Sequence, residues 1–221
     1  MKKLTFIYTN PEFKSLLYTP VMSEVFDGRP DVEIDFSLDD SLAKETRKNG
    51  MIPTKGVIRR LYNLVENCVL GGAECVVVGC TAINLATFQL KTITSVPLIG
   101  LDEPLVDKLY KGGWKKIALV SHSEVHAKMT GRLLEKKIPD VQLNMVAVPE
   151  AATAFAHKNM DDYEKHIVSA SRKIENSVDV LAFPHIACDQ FRITDLHKPV
   201  FYVGQTLIDE VLKVLVLPAK N

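Results

Sequence analysis

Apolar residues along this chain fall into two kinds of run. Short blocks rich in β-branched and aromatic side chains recur at Leu4–Thr9, Val32–Leu38, Cys75–Gly79, Pro97–Gly100, Ile117–Ser121, Val141–Val148, Val178–Phe183 and Val200–Val203. Each has the length of a strand. Between them lie segments with helical period. In Val57–Leu70, Ile58, Leu61, Val65, Cys68 and Val69 fall three or four residues apart, Thr54 stands where an N-cap belongs, and Gly71-Gly72 ends the pattern. Strands separated by helices predict parallel sheets with right-handed crossovers.

The blocks also repeat in order. Lys2–Tyr8 resembles Lys115–Ser121, Val32–Phe36 resembles Val141–Met145, Val76–Gly79 resembles Val180–Phe183, and Pro97–Gly100 resembles Pro199–Tyr202. Lys116 follows Lys3 by 113 residues and Pro199 follows Pro97 by 102, a drift that longer loops in the first copy would produce. The expected fold is α/β, with two pseudo-symmetric domains, each a four-stranded parallel sheet flanked by helices. The expected division is 1–98 plus 204–221, with the C-terminal helix returning to the first domain, and 99–203. Such sheets bind ligands beyond the carboxyl ends of their strands, so a site at the domain interface is expected. Thr9-Asn10, Cys80-Thr81, Ser121-His122-Ser123 and Pro184-His185 would line it.

Composition narrows the classes. The 221 residues carry 27 Lys+Arg against 27 Asp+Glu, and no basic cluster is longer than a pair. That balance argues against nucleic acid or an anionic membrane as partner. No apolar run approaches the ~20 residues that span a bilayer. The apolar stretch after Lys2-Lys3 ends at Asn10-Pro11-Glu12, too early for a signal peptide. A cytoplasmic protein with four reduced cysteines is expected.

Cys80 follows a buried-type strand and precedes Thr81-Ala82-Ile83-Asn84, so its thiol belongs at the mouth of a sheet beside a helix start. Free amides and the helix dipole there would lower its pKa and favour thiolate. The plainer alternative is a small buried apolar residue, which is the reading adopted for Cys75, inside its strand, and Cys68, on a helix face.

Val77–Asn84, then Val96–Pro104 with its Asp102-Glu103-Pro104, then Lys116–Ser121 together resemble the aspartate/glutamate/hydantoin racemase superfamily. Asp39-Asp40-Ser41-Leu42 and Ile58-Arg59-Arg60-Leu61 add to the likeness, which runs from Leu4 to about Leu212. The resemblance implies two pseudo-symmetric α/β domains with the site between them and no cofactor. It also implies two cysteines, one per domain, that take a proton from a carbon beside a carboxylate and return one to its other face. Maleate isomerases and arylmalonate decarboxylases share that fold and alter the pair.

This sequence departs from the pattern at the second cysteine. The repeat sets Cys80 opposite Pro184 or, with a one-residue shift, His185, while Cys188 comes three or four residues later. His185 and Cys188 are therefore both candidate partners of Cys80, and a one-base reaction is a further alternative. Thr9, Asn10, Thr81, Ala82, Asn84, Ser121, His122 and Ser123 form the expected substrate-binding set. Helix caps and turns use the same residue types.

His122 and His126 stand at i, i+4, but Ser123 holds the position where a metalloprotease helix has Glu. No C-x-x-C accompanies them, so no metal is expected. Neither a dinucleotide fingerprint nor a phosphate-binding Gly loop occurs. The reading is a cofactor-independent racemase, epimerase or isomerase of a small carboxylate of amino-acid or hydantoin type, working as a homo-oligomer, expected as a dimer. The alternatives are a one-cysteine decarboxylase-like lyase and a catalytically silent carboxylate-binding protein.

Overall fold

The computed structural model describes residues 1–216; residues 217–221, the end of the expected returning segment, lie outside them. All eight apolar runs are strands: β1 Lys2–Tyr8, β2 Val32–Leu38, β3 Cys75–Val78, β4 Leu98–Gly100, β5 Lys116–Ser121, β6 Gln142–Ala147, β7 Val180–Phe183 and β8 Val200–Tyr202. They form two four-stranded parallel sheets with one permutation, β2-β1-β3-β4 and β6-β5-β7-β8. The principal helices are α1 Asp40–Lys48, α2 Lys55–Leu70, α3 Asn84–Leu90, α4 Glu103–Gly112, α5 Glu124–Lys137, α6 Pro149–Ala156, α7 Met160–Ile174 and α8 Val203–Val214. The chain divides into two compact units, Met1–Leu101 with the residues from Leu207, and Asp102–Thr206. Among the described residues no helix is long and apolar enough to cross a membrane.

In the first unit the sheet is buried on both faces, and strand alternation sorts its side chains. Ile7, Val76 and Val78 face a cluster that takes in Leu42 of α1 and Val57, Leu61 and Val65 of α2. The three α2 residues lie four apart, so one stripe of the helix is buried. Thr54 caps it through a bond from the Val57 amide at 3.1 Å, and Gly71 ends it. The other face is aromatic. Phe6 packs against Phe36, its register partner on β2, with ring centres 5.9 Å apart, and against Tyr18 at 5.3 Å. Tyr18 keeps its hydroxyl satisfied by donating to Asp27 at 2.9 Å.

In the second unit β5 and β7 are central and buried, whereas the edge strand β6 is largely exposed. Asp102, fully buried before α4, accepts from Thr130 Oγ1 of α5 at 2.8 Å and ties these helices together. Asp189 does the same for α8. Its carboxylate accepts from the amides of Gly204 and Gln205, both at 2.8 Å. A Cβ on Gly204 would lie 2.7 Å from the Asp189 Cγ, so only glycine lets the carboxylate approach this closely.

Candidate functional site

In each sheet the chain leaves the second strand in the order for one side and returns past it to the next strand on the other. The adjacent carboxyl ends of β1 and β3, and of β5 and β7, are therefore the two switch points, where open α/β sheets hold ligands.

Thr9 and Cys80 lie at the first switch point. Thr9 Oγ1 donates to Cys80 Sγ at 2.8 Å. Cys80 is extended (φ −147°, ψ 110°) and opens a 3₁₀ turn, Thr81–Ile83, that runs into α3. The residue before it must be small. A Cβ on Gly79 would sit 2.9 Å from the Phe13 ring. Cys80 is partly exposed at the margin of the first unit's core.

Burial pushes its thiol above the ordinary cysteine value, against the opposing pull of the Thr9 hydroxyl and the Ala82 and Ile83 amides. The expectation of a depressed pKa is therefore reversed. Amides and hydroxyl do stabilise a thiolate here, but loss of water costs more. At rest Cys80 is a protonated thiol with donors arranged to receive its anion.

Thr81 and Ala82 are each 4% exposed and Asn84 is 2% exposed. Both polar atoms of the Asn84 amide lack a hydrogen-bond partner among the described residues. A buried amide left this way costs roughly 1–3 kcal/mol unless something meets it. Asn10 is exposed, and its Oδ1 accepts from the Glu12 amide at 3.0 Å, so its side chain closes the turn after β1.

The second switch point carries the equivalent set. His185 stands two residues beyond the end of β7, as Cys80 stands two beyond the end of β3. It too is extended (φ −128°, ψ 125°) and opens a 3₁₀ turn, Ile186–Gln190. The topological counterpart of Cys80 is therefore His185, not Pro184. His185 Nδ1 accepts from the Ala187 amide at 3.3 Å. Cys188 lies inside the turn, fully buried, 3.2 Å from the Tyr163 hydroxyl, and burial pushes its thiol up to about 12.

Ser121 is fully buried at the end of β5, and its Oγ accepts from the Ser123 amide at 3.3 Å. Ser123 caps α5 by accepting from the Val125 amide at 3.3 Å. His122 has Nδ1 3.3 Å from the Tyr163 hydroxyl and stacks on Phe155 with centres 5.0 Å apart. Its ring meets those of His126 at 5.1 Å and His185 at 4.3 Å, and the latter two meet at 4.4 Å. Burial holds His122 at about 4. His185 lies well below the ordinary histidine value, through burial and then its two histidine neighbours. Both rings are neutral at pH 7.

Tyr163 had no signal in the sequence: it sits on an amphipathic helix, where an aromatic residue reads as core. The His122/His126 spacing was visible, but not that β7 delivers a third imidazole to it.

No protein-family model matches the chain, and no curated protein matches it in sequence. Solved structures do match. An aspartate racemase homologue from Pyrococcus horikoshii OT3 is 18% identical with a TM-score of 0.73, over 98% of this chain and 100% of that one. The Picrophilus torridus aspartate racemase is 14% identical with a TM-score of 0.69, over 100% and 96%. An unliganded arylmalonate decarboxylase is 14% identical with a TM-score of 0.59, over 100% and 96%. The chain has the fold of these racemases and of the decarboxylase.

Proposed function

We propose that the chain is a racemase, epimerase or isomerase of a small carboxylate that works by proton transfer through Cys80 and needs no organic cofactor. The observation that carries this reading is the Thr9–Cys80 contact at the switch point of the first sheet. A thiol there is partly open to solvent, and a hydroxyl and two backbone amides converge on its sulfur. A carbon acid beside a carboxylate is weak, so its anion needs fixed donors. The buried, unpartnered amide of Asn84 is suited to a carboxylate oxygen. In the proton balance the second group, neutral at rest, takes the α-proton from one face while the Cys80 thiol gives its own proton to the other and becomes thiolate. The reverse reaction starts from Cys80 thiolate and the protonated second group. We assign the second group to His185, the counterpart of Cys80. Cys188 fits less well, because its sulfur is enclosed against Tyr163. Thr9, Thr81, Ala82, Asn84, Ser121, His122 and Ser123 remain the proposed binding set, and Asn10 joins it through its backbone.

The alternative reading is a decarboxylase-like lyase with a single working thiol. Loss of CO₂ leaves a carbanion that needs only one proton, and a thiol held protonated at rest is prepared to supply it. Chiral chromatography of D- and L-aspartate, D- and L-glutamate and substituted hydantoins, together with CO₂ release from aryl malonates, separates the two. Inversion lost in both Cys80→Ala and His185→Ala supports the racemase reading. CO₂ release that needs Cys80 alone supports the lyase. Neither activity on any of these acids contradicts both.

A further inference from the structure

We propose that His122, His126 and His185 form a binding site for one divalent transition ion of zinc type, with a coordination position left open. Such a site leaves Cys80 free but claims His185, assigned above as the second acid/base group, and His122 of the binding set. A chain that holds the ion therefore does not use His185 as a base, and the two roles are read separately, on loaded and on metal-free protein.

One nitrogen from each of the three rings comes within 4.8 Å of the other two. A tetrahedral zinc with bonds of ~2.0–2.1 Å needs ligand nitrogens about 3.3–3.4 Å apart, so ring rotations of about an ångström close the set. The rings come from three separate and well-supported places: the loop after β5, the first turn of α5 and the residue that opens the turn after β7. His122, in the loop before α5, and His126, in its first turn, bring their ring centres to 5.1 Å, and His185 approaches both.

The surroundings match a metal site in a second way. Ligating histidines characteristically engage their other ring nitrogen with a fixed partner, which sets the tautomer and aims the ring. Here His122 Nδ1 faces the Tyr163 hydroxyl at 3.3 Å, and His126 Nδ1 faces Ser121 Oγ at 3.4 Å. Protons on these Nδ1 atoms put the lone pairs on Nε2, the nitrogen through which each would bind. His185 differs, because its Nδ1 accepts from the Ala187 amide at 3.3 Å. Binding through Nε2 requires the ring proton to move to Nδ1, and binding through Nδ1 displaces the amide. Either way, loading exchanges a long capping contact for a metal bond. Three neutral nitrogen ligands suit zinc, cobalt, nickel or copper over magnesium or calcium, which want oxygen. The open position would take water or a carboxylate oxygen.

The test uses the full chain, stripped with chelator and dialysed against Zn²⁺ or Co²⁺, and needs no turnover. Metal analysis should find one ion per chain. The Co²⁺ form should show the intense visible bands of a four- or five-coordinate site, and they should persist in Cys80→Ser and Cys188→Ser, which excludes thiolate ligation. His126→Gln should weaken binding at least tenfold, and Tyr163→Phe, which keeps the ligands and loses the partner of His122, by about 10–100-fold. Circular dichroism checks that both variants fold. Wild-type protein that retains no ion and shows no Co²⁺ bands overturns the inference whatever the variants do. Ion binding unchanged in folded His126→Gln overturns it as well. The proton-transfer reading survives either failure, because Cys80 labelling and α-proton exchange are read on metal-free protein.

Discussion

Thr9→Val replaces a hydroxyl by a methyl of nearly the same shape and removes the donor 2.8 Å from Cys80 Sγ. A hydrogen bond to a charged group contributes about 1.5–3 kcal/mol when well buried, and Cys80 is only partly so, which places this one near the lower end. One pKa unit corresponds to about 1.4 kcal/mol, so the thiol should titrate about one unit higher in the variant. The thiolate fraction at pH 7 then falls about tenfold. The more basic thiolate is intrinsically about threefold more nucleophilic, from a Brønsted slope of ~0.4–0.5, so net alkylation slows only about threefold. Iodoacetamide labelling measured from pH 6 to about 11.5, with peptide mapping to isolate Cys80, gives both quantities in one profile. The midpoint should move up by about one unit while the plateau rises. Thr9→Ser, which keeps the hydroxyl, should restore the wild-type midpoint. A Thr9→Val profile superimposable on wild type would mean that the hydroxyl does not hold the sulfur and that the Thr9–Cys80 contact carries no chemistry.

Among the other thiols, Cys75 and Cys188 should resist iodoacetamide in folded protein at pH 8, since burial pushes both up to about 12. Peptide mapping that finds either labelled before Cys80 contradicts the assignment. Gly204→Ala should destabilise the fold by roughly 1–3 kcal/mol, because its Cβ meets the Asp189 carboxyl at 2.7 Å, and urea unfolding reads this directly. Asp189 itself sets a pH dependence. Burial raises its carboxyl to about 6, so the native state holds a proton that the unfolded chain, at ~3.9, has lost. Its contribution to stability is full below pH ~4 and is lost as pH rises to about 6, by up to about 3 kcal/mol. Asp189→Asn should remove that component, so the wild-type minus variant difference in urea stability should fall across pH 4–6; a difference flat across that range refutes the raised pKa.

The architecture was legible because every strand is a compact apolar block and because the blocks recur in order. Two central, buried strands such as Cys75–Val78 and Val180–Phe183 leave little room for another reading, and strand ends moved by only a residue or two. The Thr54 cap and Gly71 stop of α2 were legible for the same local reason. The candidate site was less so. That Cys80 follows a strand end is local. That its thiol is raised rather than lowered is not, since burial depends on what the rest of the unit packs around it. The choice between Pro184 and His185 rested on alignment of loops of unequal length and needed the observed strand ends. Asn10 had the residue type for binding, yet its side chain is spent on the Glu12 amide. The contact of His185 with His122 and His126 depends on β7 lying beside β5, which sheet order decides and no local pattern records.

The central claim is that Cys80 carries a proton to and from carbon, and α-proton exchange tests it most directly. Aspartate, glutamate, hydantoins, maleate and aryl malonates are incubated one at a time with metal-free protein in deuterium oxide and followed by proton NMR. The account predicts loss of the α-proton signal, or deuterium incorporation at the product carbon, for at least one of these acids. It also predicts that the rate falls to background in Cys80→Ala. In His185→Ala, exchange should continue while inversion stops. Exchange that continues at the wild-type rate in Cys80→Ala, or no exchange with any acid in the panel, would contradict it.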